Sequence, residues 1–319
     1  MSQLGGIIMT MRCLLKSYIQ KLAGLQEIVF ERDKFQQELA LFKKEQRFAP
    51  GHYYSPIPSM EEIRRDEQRI FGANDKNVPG VDFYESEQLR LIEQFLPHYK
   101  EMPFQAQKVE GLRYYFENPS YSYCDAIFLY CMIRSLRPKR IIEVGSGFSS
   151  CVTLDTNELF FDGTITTTFI DPYPELLMSL IKGTDKDKIN IISSRLQDVD
   201  LDEFKKLESN DILFIDSTHI SKINSDVNRI FFNILPVLAS GVYIHFHDIT
   251  FPFEYPKDLV YGGIAWNEAY MLRAFLQFNS SFRVVLMNTF MEFYHTNFFE
   301  EKMPLCLKNG GGHIWVRRV

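Results

Sequence analysis

The chain has 319 residues, 45% of them hydrophobic and 24% charged, close to globular averages, so it has the apolar material for a sizeable core and disorder is not the default reading. Its 35 Lys and Arg against 41 Asp and Glu give a net charge of -6, which offers no broad cationic surface for phosphates and points away from nucleic acid and toward a small-molecule partner. The five cysteines, Cys13, Cys124, Cys131, Cys151 and Cys306, form no Cys-x-x-Cys pair, and their odd number argues against a disulfide framework and for a reducing, intracellular compartment.

The stretch from Met1 to Leu15 lacks the long apolar segment and small-residue cleavage site of a secretory signal. No run reaches the roughly 18 apolar residues that span a bilayer, so we expect a cytoplasmic protein with no membrane partner. From Lys16 to Gln46 there is no proline, and Leu25, Ile28, Phe35, Leu39 and Phe42 fall on one stripe, which predicts an amphipathic helix. Arg32 interrupts the stripe, and two readings stay open: packing against its own domain, or self-association into a homo-oligomer.

Phe48 to Pro58 concentrates prolines and aromatics and reads as a semi-rigid linker, its rings anchoring it or lining a pocket. Helices are expected at Met60 to Ile70, Ser86 to His98 and Cys124 to Ser135. Residues 1–120 are thus read as a helical extension with a proline and aromatic linker, and 121–319 as one catalytic domain.

After Pro138 short apolar runs alternate with helical stretches, the mark of a parallel sheet buried on both faces. The runs are Arg140 to Val144, Ile165 to Ile170, Ile189 to Ile192, Ile212 to Ile215, Val242 to Phe246, Phe282 to Met287 and His313 to Val316. Helices are expected between them at Ser149 to Leu159, Pro174 to Ile181, Ser221 to Leu238 and Asn267 to Phe278.

The first run ends in Gly145-Ser146-Gly147, a turn at the carboxyl edge of the sheet, where ligands of such folds bind. The third glycine of the dinucleotide fingerprint is replaced by Ser150. Glu143 stands two residues before the first glycine, where its carboxylate can hold an ammonium group or the turn itself. Asp171 ends the next strand, where an acid can accept hydrogen bonds from both hydroxyls of a ribose.

With these residues the sequence resembles the class I S-adenosylmethionine-dependent methyltransferases, whose first motif has the form Glu-x-Gly-x-Gly and whose second strand ends in an acid. The resemblance implies a Rossmann-like α/β fold, a doubly wound seven-stranded sheet that is mostly parallel with its last strand antiparallel. It places Glu143, Gly145, Ser146 and Gly147 beside the methionine part of the cofactor and Asp171 at its ribose. Ser194 and Arg195 would serve its adenine side, with Asp198 competing, because Ser193-Ser194 replaces the usual Gly-Asp pair. Asp216 is a further candidate.

The fourth strand runs into Asp216-Ser-Thr-His219 and the fifth into His245-Phe-His247-Asp248, so both ends bring acids and imidazoles to one sheet edge. His245 and His247 should share a side, and Asp248 should point away unless the strand has ended. His219 or His247 is suited to deprotonate a hydroxyl acceptor. Asp216 and Asp248 could instead hold a magnesium-like ion that lowers the pKa of the acceptor. The stretch His247-Asp-Ile-Thr-Phe-Pro252, with Tyr255-Pro256 and Trp266 to Leu272, is similar to the methyltransferase domain 24 family. Related metal-dependent O-methyltransferases carry aspartates at both strand ends, with an acid after the second where this chain has Ile249.

Glu268 opens a helix after the loop Phe251 to Gly263 and either touches the acceptor or favours its helix dipole. The reading is methyl transfer from S-adenosylmethionine to an oxygen of a small acceptor such as a sugar or secondary metabolite. The alternatives are a cofactor-binding scaffold without turnover and an NAD-dependent oxidoreductase.

Overall fold

The apolar runs after Pro138 become the strands of one seven-stranded sheet in a computed structural model that describes residues 29–37, 48–72 and 75–319. The chain divides into two units, Met1–Ile70 and Phe71–Val319. In the first, 29–37 is helical and the rest of the helix expected over Lys16 to Gln46 lies outside the described residues. The linker rings pack on one another, Phe48 stacked on His52 at 4.7 Å and Tyr53 tilted against Tyr54 at 4.2 Å. The helix expected over Met60 to Ile70 is two helices, α1 (Met60–Arg65) and α2 (Glu67–Phe71). Ser59 starts the first by accepting a hydrogen bond from the Glu62 amide at 3.3 Å.

In the second unit the strands are β1 (Arg140–Val144), β2 (Thr166–Ile170), β3 (Asn190–Ile192), β4 (Ile212–Ile215), β5 (Tyr243–His247), β6 (Phe282–Met287) and β7 (His313–Arg318), in the spatial order β3-β2-β1-β4-β5-β7-β6. β1 to β5 pair in parallel, and β7 runs antiparallel to both β5 and β6. Ile212, Leu213, Phe214 and Ile215 are all buried, which is why the central strands read as unbroken apolar runs. The chain winds outward from β1 in one direction and from β4 in the other, so a crevice opens at the carboxyl ends of these two neighbours. Register brings Val144 beside Ile215 and Ile215 beside Phe246, aligning the three strand ends that carry Gly145, Asp216 and His247.

Residues 71–120, read from the sequence as part of the extension, lie within the larger unit. Helix α3 (Glu85–Lys100) buries Ile92 and Phe95, and Tyr114 and Phe116 join the same core as α4 (Tyr123–Leu136) and α5 (Phe148–Phe161). Arg113 anchors this segment through ion pairs to Asp155 on α5 at 2.7 Å and to Asp185 at 2.5 Å.

The helix expected from Ser221 begins instead at α6 (Asp226–Arg229), where Ser225 caps it. It then widens into a π turn over Ile230–Ile234 and ends in a short 3-10 turn at Pro236, which has no amide hydrogen to give. Helix α7 (Glu268–Leu276) follows the loop after β5. No helix among the described residues is long and apolar enough to cross a membrane.

Candidate active site

The turn after β1 is shaped by Gly145. Its φ is +80°, and a Cβ there would overlap the carbonyl oxygen of Asp216, so only glycine lets β1 and β4 end this close together. Gly147 caps α5, its amide donating to the Ser150 hydroxyl at 3.0 Å. Glu143 is fully buried and accepts hydrogen bonds from Ser149 at 2.6 Å and Ser150 at 2.8 Å. It therefore holds the turn and the start of α5, while its second oxygen is buried without a partner. Burial pushes its carboxyl up to about 8, with Asp216 and Asp171 adding to the rise.

Asp171 fastens the same turn from β2. It accepts from the Ser146 amide at 3.1 Å, the Ser146 hydroxyl at 2.7 Å and the Tyr173 amide at 2.8 Å. Gly145, Asp171, Arg195 and Asp216 line a cavity of ≈ 440 Å³. Ser194 stands outside that lining, and Arg195 is engaged by Asp198 at 2.8 Å. The lining also includes Thr218 and Asp226, which belong to the stretch that resembles the methyltransferase domain 24 family, and Lys222 and Asn224, which the sequence reading did not single out. Asp226 accepts hydrogen bonds from both the amide and the hydroxyl of Thr218, folding the segment after β4 back on itself.

Beside this cavity the four catalytic candidates meet. Oδ1 of Asp216 lies 3.3 Å from Nε2 of His219 and 3.6 Å from Nδ1 of His247. Oδ2 of Asp248 lies 3.5 Å from each of the same two nitrogens. β5 ends at His247, so the alternation of the strand no longer applies to Asp248, whose φ of +56° turns it back toward His247. His219 also has a left-handed backbone, with φ +58°, an arrangement that the surrounding structure must enforce. His245 points to the same side as His247 but lies deeper, its ring 4.2 Å from that of Phe214 and 4.8 Å from that of Trp315, away from the acids. Burial holds its pKa well below the ordinary value.

Two further carboxylates complete the group. Glu268, at the start of α7, accepts from Nδ1 of His219 at 2.9 Å and is buried, which sets aside a purely helix-dipole role. Asp125 on α4 faces Nε2 of His247 at 3.6 Å and accepts from Nδ1 of His313 at 2.7 Å. Sequence reasoning missed Asp125 because an acid in the first turn of a helix reads as a dipole partner. Burial opposes a charge on either imidazole, but the acids outweigh it. Asp216 and Glu268 lift His219 to about 9, and Asp216, Asp125 and Asp248 push His247 well above its ordinary value. The cluster can therefore hold positive charge, or hold and release a proton, at the rim of the cavity.

Residues 142–249 match the family model of a methyltransferase domain, Methyltransf_24. An uncharacterized protein of Archaeoglobus fulgidus is 34% identical over 197 residues, covering 60% of this chain and 85% of its own length. Among solved structures, the S-adenosylhomocysteine-bound methyltransferase PaMTH1 of Podospora anserina is similar at 14% identity, covering 82% of this chain and 97% of that one, with a TM-score of 0.42. The O-methyltransferase TomG of Streptomyces achromogenes, solved with S-adenosylmethionine, is 12% identical, with coverages of 81% and 96% and a TM-score of 0.41.

Proposed function

We propose, for a chain that belongs to the class I S-adenosylmethionine-dependent methyltransferases, that the methyl group goes to an oxygen of a small-molecule acceptor such as a sugar or secondary metabolite. The observation that carries this reading is the double position of Asp216, which lines the cavity beside Gly145 and Asp171 and also faces His219 and His247. Cofactor cleft and proton-handling groups thus share one residue.

The residues fit the cofactor. The cavity is of the size that holds a small ligand, Gly145 leaves the backbone bare to it, and Asp171 presents a carboxylate at the end of β2. Gly145, Ser146 and Gly147 would hold the methionine part, Asp171 the ribose hydroxyls, and Arg195 and Leu196 the adenine side. When bound, the cofactor supplies an electrophilic methyl group on a sulfonium.

What the chain must add is alignment of the acceptor and removal of its proton. A hydroxyl is a weak nucleophile until that removal, whereas a neutral amine is nucleophilic as it stands, and four carboxylates around two imidazoles are suited to the first case. The net charge of -6 offers no broad cationic surface for a polyanion and supports a small acceptor.

Calorimetry with S-adenosylmethionine, S-adenosylhomocysteine and NAD is the first test, followed by release of S-adenosylhomocysteine across panels of hydroxyl and amine acceptors. Binding of the first two ligands with turnover of hydroxyl acceptors is expected. Binding without turnover on any panel would favour a scaffold, and binding of NAD alone an oxidoreductase.

A further inference from the structure

We propose that Asp216, His219 and Asp248, with His247 facing the same two carboxylates as a fourth donor, form a binding site for one divalent transition-metal ion of the manganese, iron, cobalt or zinc class, held in preference to magnesium. Two oxygens and two nitrogens converge: Oδ1 of Asp216 and Oδ2 of Asp248 each face Nε2 of His219 and Nδ1 of His247, at 3.3 to 3.6 Å. Ligand atoms about 2.1 Å from a common ion stand about 3 to 3.4 Å from one another; one atom each of Asp216, His219 and Asp248 already lie within 4.8 Å of one another, and Nδ1 of His247 faces the same two carboxylates at 3.5 and 3.6 Å.

His247 is the second, independent sign. Its side chain is only 8% exposed, and neither ring nitrogen has a hydrogen-bond partner. A buried imidazole with an unsatisfied nitrogen aimed between two carboxylates is what a metal-binding histidine looks like before the ion arrives.

The surroundings repeat the pattern on both imidazoles. Each uses one nitrogen toward the shared centre and turns the other toward a buried carboxylate, His219 toward Glu268 at 2.9 Å and His247 toward Asp125 at 3.6 Å. Proteins orient metal-ligating histidines in this way, fixing the tautomer and raising the basicity of the ligand. Four carboxylates around two imidazoles also leave an excess of negative charge that a divalent cation would balance.

The imidazoles decide which ion. Magnesium takes oxygen ligands and keeps its waters, whereas nitrogen donors suit the first-row transition metals. The magnesium-like site expected from Asp216 and Asp248 alone thus becomes a mixed nitrogen and oxygen site. It adjoins the proposed cofactor cleft through Asp216, but ion binding does not depend on methyl transfer.

The test uses the full chain, free of any histidine tag and stripped with a chelator, titrated calorimetrically with manganese, cobalt, zinc and magnesium, with the visible spectrum of the cobalt form as a second readout. We expect one ion per chain, manganese and cobalt at least tenfold tighter than magnesium, and cobalt bands of a mixed nitrogen and oxygen environment. His247→Ala and Asp216→Asn should each weaken manganese at least tenfold, and Asp125→Asn about 10- to 100-fold. The unaltered chain alone decides the matter if a variant fails to fold: no saturable ion, or magnesium as tight as manganese, overturns the proposal. S-adenosylhomocysteine titrated into the same samples separates the two readings. Cofactor binding without any ion rejects the metal site only, and loss of both rejects the methyltransferase reading as well.

Discussion

Oδ2 of Asp125 lies 3.6 Å from Nε2 of His247, so the helix preceding the first strand reaches the end of the fifth. Gly311 makes the approach possible: its φ is +60°, and a Cβ there would collide with the Asp125 carboxylate. The Gly312 amide donates to that carboxylate at 3.3 Å, and β7 adds His313 at 2.7 Å. Asp125 thus faces Nε2 of His247 while Nδ1 faces Asp216 and Asp248, the arrangement expected of a positioning residue.

Asp125→Asn keeps the shape and removes the charge. Methyl transfer to an identified acceptor should fall about 10- to 100-fold in kcat, with KM and the affinity for S-adenosylhomocysteine within about twofold of the parent. Steady-state kinetics and calorimetry on the same preparation check this. An unchanged kcat would leave Asp125 as no more than a core partner of His313.

Asp171→Ala should weaken S-adenosylmethionine binding by about 1 to 3 kcal/mol through lost charged hydrogen bonds. Asp171 also fastens the turn through Ser146 and Tyr173, so Asp171→Asn separates the two effects, since the amide oxygen still accepts from part of the turn. Calorimetry should rank the parent above the Asn variant and the Asn above the Ala variant. Equal affinity in all three would remove Asp171 from the ribose site.

The parts of this architecture legible in the sequence are those whose physics is local. The central strand is readable because a strand buried on both faces must be apolar throughout, as in Ile212 to Ile215, the others because each keeps a short run of apolar residues, and the glycine turn is readable because backbone crowding admits little else at Gly145. What escapes is set by tertiary contact. Asp125 gains its meaning only when β7 and β5 pack beside α4, and Glu268 only when the loop after β5 returns it to His219, which follows β4. The two helices Asn288–Tyr294 and Thr296–Lys302 also escape, because Phe290, Phe293, Phe298 and Phe299 give no clean helical stripe. The break of the Ser221 to Leu238 helix at Ser225 and its π turn are likewise invisible to periodicity, which registers apolar spacing and not hydrogen-bond slippage.

Glu143 predicts a pH dependence of stability. Its folded-state pKa of about 8 lies above the ordinary 4.5, so between these values the folded chain holds a proton that the unfolded chain has released. Stability is then fully present below about pH 4.5 and declines as pH rises toward 8. Glu143→Gln retains an acceptor for Ser149 and Ser150 and abolishes the titration. Relative to the parent, the variant should gain about 1 to 3 kcal/mol between pH 5 and pH 8, read by urea unfolding at several pH values. A constant difference across that range would show that the carboxyl is ionised in the folded chain.

Arg113 predicts where the fold itself is most exposed to a single change. Its guanidinium is 3% exposed and faces Asp155, 1% exposed, and Asp185, 5% exposed. Removing the cation leaves two buried carboxylates with only backbone amides as partners, a loss of about 3 to 5 kcal/mol for Arg113→Met. Arg113→Lys should recover only part of this, because one ammonium cannot reproduce the paired contacts that Nε and Nη2 make with Asp185 while Nη1 holds Asp155. Asp155 additionally accepts the amides of Arg113 and Tyr114 at 2.9 and 2.8 Å, so Asp155→Asn combined with Arg113→Met should cost less than the sum of the two single changes. Urea unfolding of the four proteins checks this coupling. Additive losses would mean that the two charges act independently and that the segment around Arg113 is held by its buried aromatic neighbours instead.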